Sequence, residues 1–517
     1  MSHILTLGEV LTAQARLRPE ALGARDLERS MTFRLWNERA CRLANALRGL
    51  GLERGDRIAV LAWNRVEWAE IYAACAKACL VAVPVNFRLV GAEVLHILED
   101  CDARAVIVED GLIGVIESIR PSLDLPRSRF IAIGATASGY RAYEDLLGAA
   151  SASEPDEPAT PRESWCFMYT SGTTGAPKGA VRNHRNMAML AFMTQVELGL
   201  HRRDDALLVM PMCHANSLNF FTSFAYCGGA VSIFSRRSFD PELCLRTFAE
   251  TGATFTSLVP THYSMMLDVP AADRFGQFGR VEKLMISSAP AHVETKRAIM
   301  EMFPNSGLFE LYGSTEAGWV TMLHPHEQFD KPGTVGREVV GSAPVRLFDD
   351  DGNEVPDGEP GELHSCGPYC FDGYWNLPDK TAEAFRGNWL TVGDIGVRDE
   401  DGYIRLIDRK KNLIISGGEN IYPSEVENVL AAHPAVRDVA VIGTPDPKWG
   451  ENVHAAVVLK NGASASEAEL IAFTRERLAG FKRPRAVTFL APEDMPRNAT
   501  GKILHRNLRE LLAGSTK

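Results

Sequence analysis

The sequence predicts an α/β protein with a large sheet-forming region and a smaller mixed unit at its C-terminal end. Three observations carry that expectation. Residues 57–108 alternate between short apolar runs and amphipathic stretches, the β-α-β-α-β pattern of a parallel sheet covered on both faces. The alternation resumes after an unpackable loop, Ser151 to Glu163, which holds three prolines and four acids. From about Lys331 the segments become short and turn-rich, with Asp350-Asp351-Gly352 and Pro356-Asp357-Gly358, as in a β-rich unit.

Leu35 to Leu50 has Leu43, Ala44 and Leu47 at helical spacing and stops at Gly49 and Gly51. Arg57 to Ala62 reads as a buried strand, Val66 to Leu80 as a helix and Val81 to Val85 as a strand. Val90 to Asp100 reads as a helix, and Ala105 to Val108 as the strand after it. Past the loop, strands are expected at 206–210, 230–234, 254–259, 283–288 and 307–311, with helices at 241–251 and 293–303. A change of pattern and charge places a boundary near Asp408-Arg409, giving domains of residues 1–408 and 409–517. The second is mixed: helix over 424–433, strands over 439–443 and 453–459, helix over 466–479, strand over 486–490, and a closing helix from about Lys502.

Size and composition exclude several classes. The chain has 517 residues, 45% hydrophobic and 23% charged, enough for a large core and unlike a disordered or fibrous protein. A net charge of −11 disfavours a nucleic-acid binder. The charge is uneven: the last 109 residues sum to +4 and the first 408 to −15. A basic part beside an acidic one suits a polyanionic ligand, or is chance clustering of surface charge. The ten cysteines show no C-x-x-C pair and read as reduced thiols. The first twenty residues lack a secretory pattern, the final GSTK is no peroxisomal signal, and Ile71 to Val85 is too short to span a bilayer. A cytoplasmic protein without integral membrane association is expected, with a homodimer allowed.

The sharpest chemical signal is Tyr169 to Gly179, YTSGTTGAPKG. Glycines let the backbone approach phosphate oxygens, hydroxyls and N–H groups donate, and the lysine brings charge. Pro177 and Gly179 stand where a Walker loop needs glycine and Ser/Thr, so this is a different phosphate loop. Four more segments follow in order: Tyr312 to Gly318 (YGSTEAG), Trp389 to Asp394 (WLTVGD), Asp408 to Glu427 (DRKKNLIISGGENIYPSEVE) and Pro496 to Lys502 (PRNATGK).

With these five motifs, over nearly its whole length, the chain resembles the adenylate-forming acyl-CoA synthetases, the superfamily that includes luciferases and peptide-synthetase adenylation domains. The resemblance implies two α/β subdomains plus a β-barrel-like unit, and a small mobile α+β C-terminal domain. It implies an ATP-dependent, AMP-forming carboxylate–CoA ligase using ATP, Mg²⁺ and coenzyme A through an acyl-AMP intermediate. The alternative is an adenylating enzyme that loads a carrier protein.

By position, the resemblance implies the following roles. Lys502 bridges carboxylate and α-phosphate, because two anions must be brought together. Glu316 holds Mg²⁺ with Thr173, both hard oxygen donors, and Thr315 contacts the α-phosphate. Thr170, Ser171, Gly172, Thr173, Thr174 and Lys178 cradle phosphates. Tyr312, Gly313 and Ser314, with Ser288, Ala289 and Pro290, line the nucleotide site. Asp394, helped by Arg409, accepts from the ribose hydroxyls. Lys411 is the hinge, and Gly417 and Gly418 pass the CoA chain. His214 orients the carboxylate or gates the pocket. Ile415 stands where relatives carry lysine, and Asn420 where they carry Trp or Gln.

Asn219, Phe220, Phe224, Val259 and Trp319 are the expected acyl wall. No charged residue lies between Met212 and Ser232, so the second carboxylate of a diacid would lack a counter-charge. The substrate expected is an apolar monocarboxylic acid: medium-chain fatty, alicyclic or aromatic.

Overall fold

The computed structural model describes residues 6–135, 137–170, 177–271, 278–287, 291–416, 419–475, 477–498 and 501–514, without the side chains of Lys411, Glu419, Asn420, Ala513 and Gly514. The chain forms two units: residues 1–344 with 365–390, and residues 345–364 with 391–517. Residues 345–364 and 391–408 thus group with the C-terminal unit, whereas the sequence pattern draws its line at Asp408.

The first unit carries two sheets. One has seven strands in the order 141–142, 130–133, 103–109, 57–61, 81–84, 164–170, 178–183. Its pairings are parallel except at the edge, where Ser164–Thr170 meets Lys178–Asn183 antiparallel. The other has nine strands, with a parallel centre of Leu22–Arg25, Ala230–Ile233, Asp205–Leu208, Phe255–Leu258, Lys283–Ser287 and Gly307–Ser314. Their apolar runs explain this arrangement: strands buried on both faces need no polar alternation. The strand Phe255–Leu258 is fully buried.

Helices Phe33–Gly49, Glu67–Ala78 and Ala215–Cys227 share an aromatic layer. Phe221 packs its ring 5.7 Å from both Trp36 and Tyr72. The helix Glu67–Ala78 is buried along its whole length. Its charged residues are therefore paired: Glu70 takes two bonds from Arg39 and one from Tyr143. Burial raises the Glu70 pKa above the usual carboxylate range despite Arg39. The expected helix over 66–80 begins and ends slightly inside those limits, and Cys79 caps it at φ 58°.

The second unit holds an antiparallel sheet built on Arg346–Phe348, Gly361–Ser365, Trp389–Arg398 and Ile404–Arg409. It also holds a mixed sheet in the order 419–421, 414–416, 450–459, 436–446, with 486–489 parallel to 450–459. Helices Pro423–Ala431 and Glu467–Thr474 cover that sheet with Val426, Leu430 and Leu470, while Leu508 and Leu512 of His505–Gly514 pack on Ala440 and Ile442. Two expectations are corrected here. The helix over 466–479 ends at Thr474, where the N–H groups of Arg477 and Leu478 fold back to the Thr474 carbonyl. The closing helix starts at His505, not at Lys502. No helix among the described residues is long and apolar enough to cross a membrane. All ten cysteines are free thiols.

Candidate active site

The phosphate-loop motif begins at the end of one strand and returns on the next. Thr170 pairs with Lys178, and Tyr169 with Gly179, so these residues close the loop between them. Ser171, Gly172, Thr173 and Thr174 lie outside the described residues. Gly179 packs against the Tyr169 ring, where an added Cβ would approach to 3.0 Å. The Tyr169 hydroxyl donates to the Asp100 carboxylate. The Lys178 ammonium sits 4.1 Å from the centroid of the Tyr374 ring. Partial burial lowers the Lys178 pKa, and the nearby Glu316 charge opposes that effect.

The second motif forms a tight hairpin between Gly307–Ser314 and Gly318–Leu323, with Thr315, Glu316 and Ala317 at its tip. Two glycines make it possible. A Cβ on Gly313 would lie 2.2 Å from the Gly318 carbonyl oxygen, and Gly318 itself adopts φ +73°. The Ser314 hydroxyl accepts from the Ala317 N–H at 2.9 Å. Beneath the tip, Arg182 donates to the carbonyl of Thr315 at 3.0 Å and approaches that of Glu316 at 3.5 Å. Burial lowers the Arg182 pKa to about 10, so the guanidinium stays charged at neutral pH.

Glu316 is 8% exposed. Its Oε1 accepts from the Tyr374 hydroxyl at 2.8 Å and from the Thr170 hydroxyl at 3.4 Å. The structure therefore joins Thr170, Lys178 and Glu316, which lie about 140 residues apart in sequence. Tyr312 is buried on the same hairpin at 8% exposure.

Arg182 and Tyr374 were invisible to motif reading. Arg182 looks like an ordinary charge in an edge strand. Tyr374 belongs to a segment, Asp372 to Trp375, that pairs with Lys178–Asn183 by the bonds Val181 N–H to Gly373 O and Trp375 N–H to Gly179 O, at 2.9 and 2.8 Å. Asn183 adds two bonds to the Asp372 carboxylate. A turn-rich stretch gives no sequence sign of this long-range pairing.

His214 caps the helix Ala215–Cys227, its Nδ1 accepting from the Asn216 N–H at 3.3 Å. In the neutral ring this leaves the proton on Nε2. Asn216 in turn bonds the hydroxyls of Ser257 and Ser287 at 3.0 and 2.8 Å, tying two adjacent strand ends together. On the same helix Phe220 and Phe224 share one face, with rings 4.7 and 5.1 Å from Phe255. Trp319 stands 5.4 Å from Phe220 and donates its indole N–H to Thr194. Asn219 and Val259 are buried at 4% exposure each. Ser288, Ala289 and Pro290 lie outside the described residues.

In the second unit Asp394 and Arg409 are cross-strand partners, and the Arg409 guanidinium donates to Asp394 at 2.8 Å. That bond fixes one carboxylate oxygen of a residue only 7% exposed. Ile415 lies on the short strand Ile414–Ser416 with its side chain 54% exposed. Gly417 and Gly418 lie outside the described residues, as do the side chains of Lys411 and Asn420. Lys502 is exposed on a turn closed by two bonds: Asn498 N–H to the Lys502 carbonyl at 2.8 Å, and Lys502 N–H to the Asn498 side chain at 2.9 Å.

The donor set tests whether Mg²⁺ fits. Among the described residues no group of three or more His, Cys, Asp or Glu side chains could hold a metal. One carboxylate beside hydroxyl oxygens is present instead. That suits Mg²⁺, which is commonly bound by one or two carboxylates and completed by substrate phosphates and water.

Residues 11–375 match the family model described as AMP-binding enzyme, and residues 425–502 its C-terminal domain. The chain is 35% identical over 505 residues to a feruloyl-CoA synthase from Amycolatopsis sp, covering 97% of this chain and 98% of the relative. It is 33% identical over 525 residues to a fatty acid–[acyl-carrier-protein] ligase from Streptomyces coeruleorubidus, covering 99% and 98%. Among solved structures, the o-succinylbenzoate–CoA synthetase of Bacillus subtilis, in complex with ATP and magnesium ion, superposes with a TM-score of 0.84 at 28% identity, covering 97% of this chain and 99% of that one. The same enzyme has been solved with its acyl-adenylate intermediate. With the family model spanning the phosphate loop and the Glu316 hairpin, and its C-terminal counterpart spanning Lys502, this chain belongs to the AMP-binding enzyme family.

Proposed function

We propose that this chain joins an apolar monocarboxylic acid to the thiol of coenzyme A, forming an acyl-adenylate on the way. It is an AMP-forming acid–thiol ligase that uses ATP, Mg²⁺ and CoA. The observation that carries this reading is the meeting of Glu316 with Thr170 and Lys178 at the mouth of a phosphate loop, inside a family match that includes both units.

In the first step a carboxylate oxygen attacks the α-phosphorus of ATP, and the bond to pyrophosphate breaks. In the second, the CoA thiol attacks the acyl carbonyl, AMP leaves, and the thiol proton passes to solvent. Mg²⁺, when bound, neutralises phosphate charge as the P–O bond breaks. Glu316 would hold it, with Thr173 as partner. Lys178 and the loop hydroxyls bind phosphates, Thr315 contacts the α-phosphate, and Asp394 accepts from the ribose, oriented by Arg409. Lys502 supplies positive charge to adenylation, Lys411 is the hinge, and Gly417 and Gly418 pass the CoA chain. His214, with its proton on Nε2, donates towards the substrate carboxylate.

The substrate class rests on the helix Ala215–Cys227, which is uncharged and buries Phe220 and Phe224. An aromatic, alicyclic or medium-chain acid fits such a wall. A boundary at Asp408-Arg409 dividing two functional domains, a cytoplasmic location and a homodimer belong to the same proposal.

A second reading, loading of a carrier protein, is favoured only by the similarity to a carrier-protein ligase. Product analysis separates the two. The purified enzyme is given ATP, Mg²⁺, CoA and acids from acetate through C4–C16 fatty acids to benzoate, phenylacetate and cinnamates. AMP, pyrophosphate and an acyl-CoA are expected. AMP and pyrophosphate without thioester would support the carrier reading, and ADP would overturn both.

A further inference from the structure

We propose that Tyr374 is a positioning residue for the metal site: its hydroxyl fixes the rotamer of Glu316 while its ring face supports Lys178. This rests on the reading of Glu316 as the Mg²⁺ ligand. Among the described residues, Tyr374 touches both charged groups: 2.8 Å from its hydroxyl to Glu316 Oε1 and 4.1 Å from the Lys178 ammonium to its ring centroid.

The geometry gives these contacts a consequence. Both donors on Glu316, Tyr374 and Thr170, reach Oε1. Oε2 takes neither bond. A carboxylate tied through one oxygen presents the other in a set direction, which is what an octahedral cation demands. A phenol is suited to this task because it donates one directional hydrogen bond without adding charge. A lysine or arginine in its place would compete with the metal. The ring face also attracts an ammonium, so Lys178 is supported without a salt bridge that would consume the Glu316 carboxylate.

The backbone makes Tyr374 a fixed point. The segment around it is stitched to the strand that begins at Lys178, through Val181 to Gly373 and Gly179 to Trp375. Two residues earlier, Asp372 takes two bonds from Asn183. The neighbouring Phe371 N–H donates to the Glu316 carbonyl at 2.8 Å, so the same segment holds both the backbone and the side chain of Glu316. The Tyr374 ring further packs edge-on against Phe371, 4.9 Å between centroids.

The test uses the full-length enzyme and three variants: Tyr374→Phe, Tyr374→Leu and Glu316→Gln. Mn²⁺ serves as a spectroscopic probe of metal binding to the enzyme–ATP complex, and Mg²⁺ is titrated in pyrophosphate exchange. Loss of an outer partner costs about 10–100-fold in metal affinity. Tyr374→Phe should therefore weaken Mn²⁺ binding and raise the Mg²⁺ half-saturation about tenfold, while thioester formation from supplied acyl-AMP falls by less than adenylation does. Tyr374→Leu, which also loses the ring, should in addition raise the KM for ATP. Glu316→Gln should shift metal dependence further than Tyr374→Phe. If Glu316→Gln leaves metal binding unchanged, the metal role of Glu316 fails and this inference with it. If Glu316→Gln shifts it and Tyr374→Phe does not, the positioning role of Tyr374 alone is overturned.

Discussion

Glu316 and Lys502, the two residues assigned the central charges, are held in opposite ways. Glu316 sits in a buried hairpin and is fixed by Tyr374, Thr170, Arg182 and Phe371 through its side chain or its backbone. Lys502 projects from an exposed turn whose two bonds involve its own main chain. The difference follows from desolvation. A buried carboxylate is costly unless hydrogen-bonded, so it must be built into the core. An exposed ammonium keeps its charge at little cost. The first unit thus fixes Glu316 by packing, whereas the second carries Lys502 at the surface.

The largest expected effect tests the packing half of that contrast. Lys296 and Glu310 form a buried ion pair, and Glu310 lies on the strand that leads into the Glu316 hairpin. Lys296→Met leaves Glu310 buried and unpaired, at a cost of about 3–5 kcal/mol. Chemical denaturation should show an earlier loss of the first unit, with adenylation falling in step. A stability equal to wild type would mean that the hairpin does not depend on this pair.

Lys502→Ala tests the other half. Loss of one electrostatic donor costs about 10²–10³ in rate. Pyrophosphate exchange should drop by that factor, while thioester formation from supplied acyl-AMP and the thermal midpoint stay unchanged. An equal fall in both half-reactions would break the contrast.

Acid should weaken the two units unequally. His184, in the first unit, is buried with neither ring nitrogen hydrogen-bonded, and desolvation lowers its pKa from 6.5 to about 4. His454, in the second, is also lowered by burial, but its ring contacts the Thr488 hydroxyl at 2.9 Å. Between pH 6.5 and 4 the unfolded chain binds a proton at His184 that the folded chain refuses. The contribution is therefore present above pH 6.5 and lost as pH falls towards 4. From pH 7 to 5 the loss is about 2 kcal/mol. His184→Phe, which keeps the stacking on Trp165, should flatten the pH dependence of the first unit's unfolding. An unchanged slope would discard His184 as its source.

The last effect concerns nucleotide binding and falls on Asp394. Asp394→Asn keeps the shape but weakens its bond to Arg409 and the proposed bond to the ribose. The net change for a hydrogen bond to a charged group is about 1.5–3 kcal/mol, so the KM for ATP should rise about tenfold or more, with kcat less affected. A pure kcat loss would place Asp394 elsewhere in the reaction.

Much of this protein was legible in sequence because strong local signals coincided. Apolar runs buried on both faces gave eight of the parallel strands to within three residues, but Leu22–Arg25, Phe130–Ile133 and Ser164–Thr170, also parallel-paired, were not read from the sequence. The motifs singled out Thr170, Lys178 and Glu316, which the structure brings together, and Asp394 and Arg409, which it pairs. The helix end at Thr474 was missed because Leu478, apolar and in phase, extends the periodic pattern into what is a turn. Lys502 was expected at a helix start, and the Asn498 turn displaced the helix to His505.

Sequence by itself determined the alternating fold class, the order of the motifs and the chemistry they require, because hydrophobic period and residue type are local properties. Only the tertiary structure decided that Tyr374 stands over Lys178 and holds Glu316, that Arg182 lies beneath the hairpin, and that Phe220 and Phe224 meet Phe255. These contacts join segments tens to about 200 residues apart. Their partners are chosen by strand pairing and close packing, which no local pattern encodes.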